Sequence, residues 1–178
     1  MNLKLIAFIF RLLNVKLRNR MFKAENLPGI EKAVDIFCHG GEIHLGRNVN
    51  ICSGTLISAV DDSSLKIGNG VYINRNCIIV CHKSITINDG CSFGPNVLIY
   101  DHDHMFNEES FVPNKFKTGD IVIGRNCWIG AGSIILRNTT IGEGCIVGAG
   151  TVVKGIIPPH SLVRGDRSII IEPIVDRK

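Results

Sequence analysis

The residues most able to do chemistry are two histidines, His102 and His104, which open the longest irregular stretch of the chain. Histidine titrates near neutral pH, so its side chain can take a proton from a hydroxyl group and return it to a leaving group. If the segment is extended, both imidazoles lie on one side of it, whereas Asp101 and Asp103 face the other side. The pattern favours general base chemistry, with one histidine as the base and the other as a loop anchor or acceptor contact.

A ladder of aliphatic residues spaced six apart must position these histidines. A period of six fits neither the 3.6-residue period of a helix nor the alternation of an isolated strand. It is typical of a chain that coils around a triangular prism and buries one aliphatic on each short side. The sequence therefore predicts an all-β solenoid of about five coils. The most regular run is Ile123, Ile129, Ile135, Ile141, Val147 and Val153.

The ladder has one large interruption, between Ile99 and Ile123. Long loops are uncommon in compact domains and are usually functional, so the segment 101–120 is expected to protrude and to carry the site. His82 follows the rung Ile79 at the same distance at which His102 follows Ile99. In stacked coils, this register predicts that the two histidines lie at one corner, about one inter-strand spacing apart.

The composition excludes several classes of protein. The formal net charge of +4 is mild, and the basic residues are spread along the chain rather than concentrated in a nucleic-acid-binding patch. The seven cysteines form no CxxC pair, and several stand two residues before a ladder aliphatic. We interpret them as buried free thiols in a protein of the reducing cytoplasm, and we expect no metal site.

The ladder divides the chain into three parts. Residues 1–35 are expected to form an amphipathic helix over 1–22 and a connecting loop, and residues 158–178 a C-terminal cap. The β-helix domain is expected between them, over 36–157. The helix has two interpretations: it packs on protein, or its basic residues meet anionic lipid and hold the protein peripherally on a membrane surface.

The repeats resemble those of the left-handed β-helix acyltransferases. The segment IVIGRNCWIGAGSIIL…TTIGEGCIVGAGTVVKGIIPPHSLV is similar to the signature of the galactoside, maltose and xenobiotic acetyltransferase group. The resemblance covers roughly residues 40–165. It implies a left-handed coil, a homotrimer with its active site between two subunits, and transfer of an acetyl group from acetyl-CoA to a hydroxyl or amine.

The resemblance also implies roles for individual residues. His102 matches the catalytic histidine, and Asn74 in IGNGVYIN matches an asparagine that contacts the acceptor hydroxyl. His82 falls where a polar acceptor contact lies in the sugar-modifying members, and we assign His104 to the same group. The amide of Ala131 is the candidate donor to the oxyanion. The complete set of cofactor-binding candidates is Trp128, Gly130, Ala131, Gly148, Ala149, Lys154, Arg164 and Arg167.

We therefore expect an acetyl-CoA-dependent O-acetyltransferase that uses His102 as its general base. The expected acceptor is a small sugar-like molecule, such as a precursor of a surface polysaccharide. An antibiotic acceptor is the main alternative. Two further alternatives are a zinc carbonic anhydrase of the same fold, whose histidine spacing His102-x-His104 does not match, and a scaffold subunit without activity.

Overall fold

The computed structural model describes Val15, residues 21–108 and residues 110–165 of the 178-residue chain. The helix expected over 1–22 therefore lies almost entirely outside the described residues; Val15 is helical and packs partly buried against the core. Arg167 and most of the expected C-terminal cap also lie outside them. In the ranges given above, no helix combines the length and the apolar character that a membrane span requires.

The strands form a parallel solenoid of about six coils with three flat faces. Face one consists of β1 (Phe22–Ala24), β4 (Glu42–Leu45), β7 (Ser64–Ile67), β10 (Ser84–Ile87) and β15 (Ile121–Ile123). Face two consists of β2 (Gly29–Ile30), β5 (Asn50–Ile51), β8 (Tyr72–Ile73), β11 (Ser92–Phe93), β16 (Trp128–Ile129), β18 (Ile146–Val147) and β20 (Leu162–Val163). Face three consists of β3 (Asp35–His39), β6 (Leu56–Val60), β9 (Ile78–Cys81) and β12 (Leu98–Tyr100).

Two longer strands turn a corner and belong to faces three and one together. They are β17 (Ile134–Ile141) and β19 (Val152–Ile157), which pair with each other on both sides of the corner. As a result, faces one and three join into a single eleven-stranded sheet, while face two is a separate sheet of seven strands. The remaining strands, β13 (His102–Phe106) and β14 (Phe111–Thr118), pair only with each other.

The core is the predicted ladder, and its register is confirmed. On face three, Ile57, Ile79, Ile99 and Ile135 are paired in sequence from coil to coil, and none is more than 1% exposed. The rungs of the other two faces stack in the same way. Burying each such side chain contributes about 1.5–3 kcal/mol, so the free energy of folding is spread along the whole prism.

The predicted coil boundaries need correction at both ends. The segment 23–35, expected as a connecting loop, belongs to an additional first coil, because Ala24, Ile30 and Ile36 pair with the rungs of the next coil. The solenoid thus begins near Phe22 rather than at residue 36 and has about six coils rather than five. At the other end, Leu162–Val163 continues face two into the region expected as a cap.

The predicted loop over 101–120 is a β-hairpin. Its two strands are antiparallel, with His102 opposite Thr118 and His104 opposite Phe116. Two ion pairs join its base to the coils: Asp103 with Arg137, and Lys83 with Asp120. The hairpin is therefore held to the prism within its first strand and just after its second, which gives His102 a defined position.

The cysteines are free, and six of the seven are buried; Cys38 is partly exposed. Three of them, Cys91, Cys127 and Cys145, lie two residues before face-two rungs in successive coils. Each thiol donates to a turn carbonyl, with sulfur–oxygen distances of 3.0, 3.1 and 3.1 Å. These cysteines therefore fill a small inward space and also donate to a turn carbonyl, which an alanine could not do.

Candidate active site

The sequence-predicted site residues fall on two of the three corners of the prism. The His102 corner consists of the turns from face three to face one, which hold His82, Asp101, His102 and Arg137. The Gly130 corner consists of the turns from face two to face three, which hold Asn74, Gly94, Gly130 and Gly148. A strand of face three separates the two corners, so within one chain Asn74 and the glycines of the Gly130 corner do not lie against His102.

His102 is held among aromatic rings at the first residue of the hairpin. Its ring centroid lies 3.8 Å from that of His82, and Phe116 and Tyr100 approach it edge-on at 5.3 and 5.8 Å. Its side chain is 11% exposed. The imidazole is therefore largely fixed by packing, which is what a group that must meet a substrate in one geometry requires.

Asp101 is the buried polar centre of this corner. Its side chain has no exposed surface, and its Oδ1 accepts hydrogen bonds from the amide of His82 at 2.8 Å and from Nδ1 of His102 at 3.3 Å. The other oxygen, Oδ2, accepts from the amides of Lys83 and Ser84 and from the thiol of Cys81. We expected this carboxylate on the side away from His102, which is wrong, because the chain turns at Asp101 rather than continuing as an extended strand.

These hydrogen bonds decide the charge of the aspartate. Burial by itself would raise the pKa of Asp101, but the hydrogen bonds from His102 and from the amides of His82 and Lys83 outweigh it and lower the pKa from its ordinary value. Asp101 is therefore a carboxylate, and it raises the pKa of the buried Cys81 thiol, together with burial, to about 12. Cys81 is accordingly a protonated donor rather than a nucleophile.

His82 lies where its register predicted, directly beside His102. The paired residues Val80 and Tyr100 set this position, since each histidine lies two residues after its member of the pair. Burial and, second, the adjacent imidazole of His102 lower the pKa of His82. His82 is therefore mostly neutral at neutral pH and can donate or accept a hydrogen bond there.

His104 shares a side of the hairpin with His102, as the alternation predicted. Both rings contact Phe116 of the opposite strand, and the centroid distance from His104 to Phe116 is 4.8 Å. His104 is more exposed than His102 and does not belong to the turn that Asp101 organises. The geometry separates the two histidines, with His102 fixed against the coil and His104 farther out on the hairpin.

At the Gly130 corner, small residues let the coils approach closely. Amides of successive turns donate to the coil below, from Asn74 to Phe93, from Gly94 to Ile129 and from Gly130 to Val147. A Cβ atom at Gly130 would lie 2.5 Å from the amide nitrogen of Ala149. Gly130 therefore has a packing role, whatever lies against the corner.

Two amides at this corner are available to a ligand. In the equivalent turns of earlier coils, the Glu31 carboxylate accepts from the Ser53 amide, and the Asn74 side chain accepts from the Arg75 amide. Within residues 21–108 and 110–165, the amides of Ala131 and Ala149 have no hydrogen-bond acceptor. A carbonyl oxygen of a bound molecule would satisfy them.

The other cofactor-binding candidates lie apart from one another. Trp128 lies on face two before the Gly130 corner and is 55% exposed. Lys154 is exposed on β19, on the side of the His102 corner, and Arg164 is exposed at the Gly130 corner, in the turn after β20. The exposed Trp128 ring is a large apolar surface that a ligand or another subunit would cover.

No metal centre is found among the described residues. Within them, no group of three or more His, Cys, Asp or Glu side chains is arranged to hold a metal ion. The histidines of the His102 corner instead contact aromatic rings and the Asp101 carboxylate.

Comparison with known proteins identifies the repeat. The family model described as bacterial transferase hexapeptide (six repeats) matches residues 120–155. Residues 120–155 are therefore hexapeptide repeats. Nodulation protein L of Rhizobium meliloti (strain 1021) is 42% identical to this chain over 102 residues, which are 57% of this chain and 56% of that protein. Galactoside O-acetyltransferase of Escherichia coli (strain K12) is 34% identical over 115 residues, which are 65% of this chain and 57% of that enzyme.

A solved structure confirms the fold of the chain. It is that of a variant of AntD, an N-acyltransferase from Bacillus cereus, in complex with dTDP-4-amino-4,6-dideoxyglucose and coenzyme A. The TM-score is 0.70 over 88% of this chain and 84% of that one, at 23% identity. The expected left-handed parallel β-helix is therefore confirmed, as is the resemblance to hexapeptide-repeat acyltransferases. The chain spans about half the length of the curated relatives it matches.

Sequence reasoning missed three side chains of the His102 corner: Asp101, Phe116 and Arg137. The position of Asp101 could have been predicted from the sequence. It follows the rung Ile99 by two residues, and the equivalent residues of earlier coils, Ala59 and Cys81, are buried. Alternation therefore points the aspartate inward. The contacts of Phe116 and Arg137 depend on how the hairpin folds back and have no such signal.

Proposed function

We propose that this chain is an acetyl-CoA-dependent O-acetyltransferase whose acceptor is a sugar hydroxyl and whose general base is His102. The observation that carries the proposal is the placement of His102 by the one long insertion of a hexapeptide β-helix, at a packed corner beside a second histidine. Acetyltransferases stand among the relatives of the chain, and a galactoside O-acetyltransferase is one of them.

The chemistry needs a base and an oxyanion donor. As the acceptor oxygen attacks the thioester carbonyl carbon, Nε2 of His102 takes the hydroxyl proton. The negative charge that develops on the carbonyl oxygen is stabilised by a backbone amide, for which Ala131 is the candidate. When the intermediate collapses, the carbon–sulfur bond breaks and the imidazolium returns the proton to the departing thiolate. No covalent enzyme intermediate is required.

The two-corner arrangement supports a homotrimer with shared sites. Within one chain, a strand of face three lies between the Gly130 corner and the His102 corner. A second copy that places its Gly130 corner against the His102 corner would unite Asn74, Ala131 and Trp128 with the base. The half-exposed Trp128 would then line the cleft between subunits instead of facing water.

Coenzyme A would bind along the Gly130 corner and contact nearby basic residues. The pantetheine arm would run along Gly130, Ala131, Gly148 and Ala149, where two amides have no acceptor in the described chain. Lys154, Arg164 and Arg167 are candidates for the phosphates of coenzyme A. The AntD structure contains coenzyme A on the same fold, which is consistent with this use of the prism.

The test replaces His102 and measures acetyl transfer to a panel of sugars, nucleotide sugars and antibiotics. We expect His102→Ala to abolish transfer while coenzyme A binding and the mass of the trimer stay unchanged. A control, His44→Ala, removes an imidazole from face one and should retain activity. Activity of His102→Ala near that of the wild type would refute the assignment, and transfer to antibiotics alone would replace the sugar acceptor.

We place the protein in the cytoplasm, because a core with six buried free thiols suits a reducing compartment. For residues 1–22, we propose contact with a membrane surface through the basic residues of the segment. Sedimentation with anionic liposomes, with and without residues 1–22, tests this. Equal sedimentation of both forms would leave packing on protein as the role of the segment.

A further inference from the structure

Asp101 receives more hydrogen bonds than its place in a turn requires. Three backbone amides, those of His82, Lys83 and Ser84, already satisfy the carboxylate and close the turn of the preceding coil. Nδ1 of His102 lies 3.3 Å from the same oxygen that accepts from the His82 amide. The buried Asp101 carboxylate thus contacts the ring of His102, which is the proposed base, and the backbone amide of His82, whose ring lies beside that of His102.

This contact has a chemical consequence for His102. An ionised carboxylate only accepts hydrogen bonds, so the ring nitrogen that faces it must carry the hydrogen. The pKa of Asp101 is lowered, so the carboxylate is ionised at neutral pH. A neutral imidazole has one protonated nitrogen, and with Nδ1 protonated, the lone pair lies on Nε2.

We propose that Asp101 is a positioning residue, which holds His102 as its Nδ1–H tautomer, with Nε2 presented as the base, and holds the His82 turn against it. The proposal rests on the proposed function only for its effect on transfer; the tautomer itself is a property of the protein without substrate. Asp101 is fully buried and acts through His102, so it need not touch the substrate.

The corner explains why aspartate suits this position and asparagine does not. Oδ2 already accepts from two amides and a thiol, and Oδ1 accepts from an amide and an imidazole. Asparagine offers one oxygen, and an NH2 group in place of the other would face N–H donors. If its oxygen keeps the Lys83 and Ser84 amides, its NH2 faces His102 and favours the tautomer with hydrogen on Nε2, which cannot act as a base.

The primary test is the tautomer of His102 in the complete protein without ligand, read from the 15N shifts of labelled histidine at a pH where the ring is neutral. The resonance is assigned by its loss in His102→Gln. We expect Nε2 to be the unprotonated nitrogen in the wild type and the protonated one in Asp101→Asn. A wild-type ring with its hydrogen on Nε2 would overturn the proposal, as would an unchanged tautomer in folded Asp101→Asn.

The matched control is Ser63→Ala. The buried Ser63 hydroxyl donates to the Cys81 carbonyl at the same corner, at 3.0 Å, and does not contact His102. We expect Ser63→Ala to keep the tautomer and the turnover of the wild type, even if it lowers the melting temperature. If Asp101→Asn does not fold, the wild-type spectrum decides.

Activity gives a second readout. We expect Asp101→Asn to lower kcat by about 100-fold or more with little change in KM, as expected when a base is held in the wrong tautomer. A role in stability alone would lower the melting temperature without changing the tautomer. An Nδ1–H tautomer in a protein that transfers no acetyl group would refute the proposed function and leave this assignment standing. Acetyl transfer by a wild-type protein whose His102 ring carries its hydrogen on Nε2 would refute this assignment and Nε2 as the base, and would leave only the acetyltransferase activity standing.

Discussion

The imidazoles of His82 and His102 contact each other in a tilted arrangement with their centroids 3.8 Å apart, although the two residues belong to successive coils. Parallel pairing of Val80 with Tyr100 brings the turns together, and the Asp101 carboxylate binds to the backbone of one histidine and the ring of the other. Burial and the neighbouring imidazole of His102 therefore disfavour protonation of the His82 ring.

The close contact between these two imidazoles predicts how the stability of the protein depends on pH. Burial and the neighbouring imidazole lower the pKa of folded His82 from its ordinary value of 6.5. The unfolded chain therefore binds the proton more readily, and the free energy of unfolding falls as the pH falls below about 6.5. We expect His82→Gln to reduce this fall, measured by urea unfolding at about pH 7.5 and about pH 5. An identical pH dependence in variant and wild type would contradict the role given to His82.

The ion pair between Asp103 and Arg137 should hold the hairpin to the coils. Arg137 is mostly buried, whereas the second anchoring pair, Lys83 with Asp120, is about half exposed on both sides. We expect a coupling of about 1 kcal/mol for the first pair and close to zero for the second, since exposed pairs contribute little. Double-mutant cycles to alanine measure both couplings.

The same pair makes a prediction about local motion. Arg137→Ala should increase hydrogen exchange in β13 and β14 while exchange in the β9 and β12 strands stays slow, because the coils keep their ladder pairs. If the hairpin amides exchange equally slowly in the variant and the wild type, other contacts hold the hairpin to the coils without this ion pair.

Close approach of the coils should make Gly130 intolerant of a side chain. An added Cβ would meet the amide nitrogen of Ala149 at 2.5 Å, so the coils would have to separate. We expect Gly130→Ala to destabilise the protein by about 1–3 kcal/mol in chemical denaturation. The control is Gly165→Ala, because no atom of the described residues lies within 4 Å of the Cβ position there. Equal stability of the two variants would contradict the packing role of Gly130.

Because the thiols differ in burial, they should react with an alkylating reagent at different rates. Cys38 is partly exposed, and the other six cysteines are buried. Iodoacetamide applied to the folded protein should therefore modify Cys38 first, with modification of all seven after unfolding, as counted by mass spectrometry. Rapid labelling of Cys127 in the folded protein would show that face two opens locally.

Much of the architecture could be predicted from the sequence because the solenoid is quasi-one-dimensional. Each rung contacts its equivalents in neighbouring coils, so a spacing of six in the chain becomes a column in space. This relation gave the register, the protruding segment and the proximity of His82 to His102. The prediction failed in the first coil, because Ala24 stands at a rung position that a larger aliphatic occupies in the next coil, and Pro28-Gly29 is typical of a loop.

The repeat by itself therefore determined the prism, the columns of buried side chains and the corner from which His102 emerges. The tertiary structure decided what a repeat does not encode: that the inward Asp101 carboxylate meets the ring of His102, and that Arg137 meets Asp103 of the hairpin. It also placed His102 and the Gly130 corner on different edges of one chain. The physical reason is that hydrophobic periodicity fixes which face a residue occupies, whereas these polar contacts depend on the path of a turn and of a hairpin whose sequence has no period.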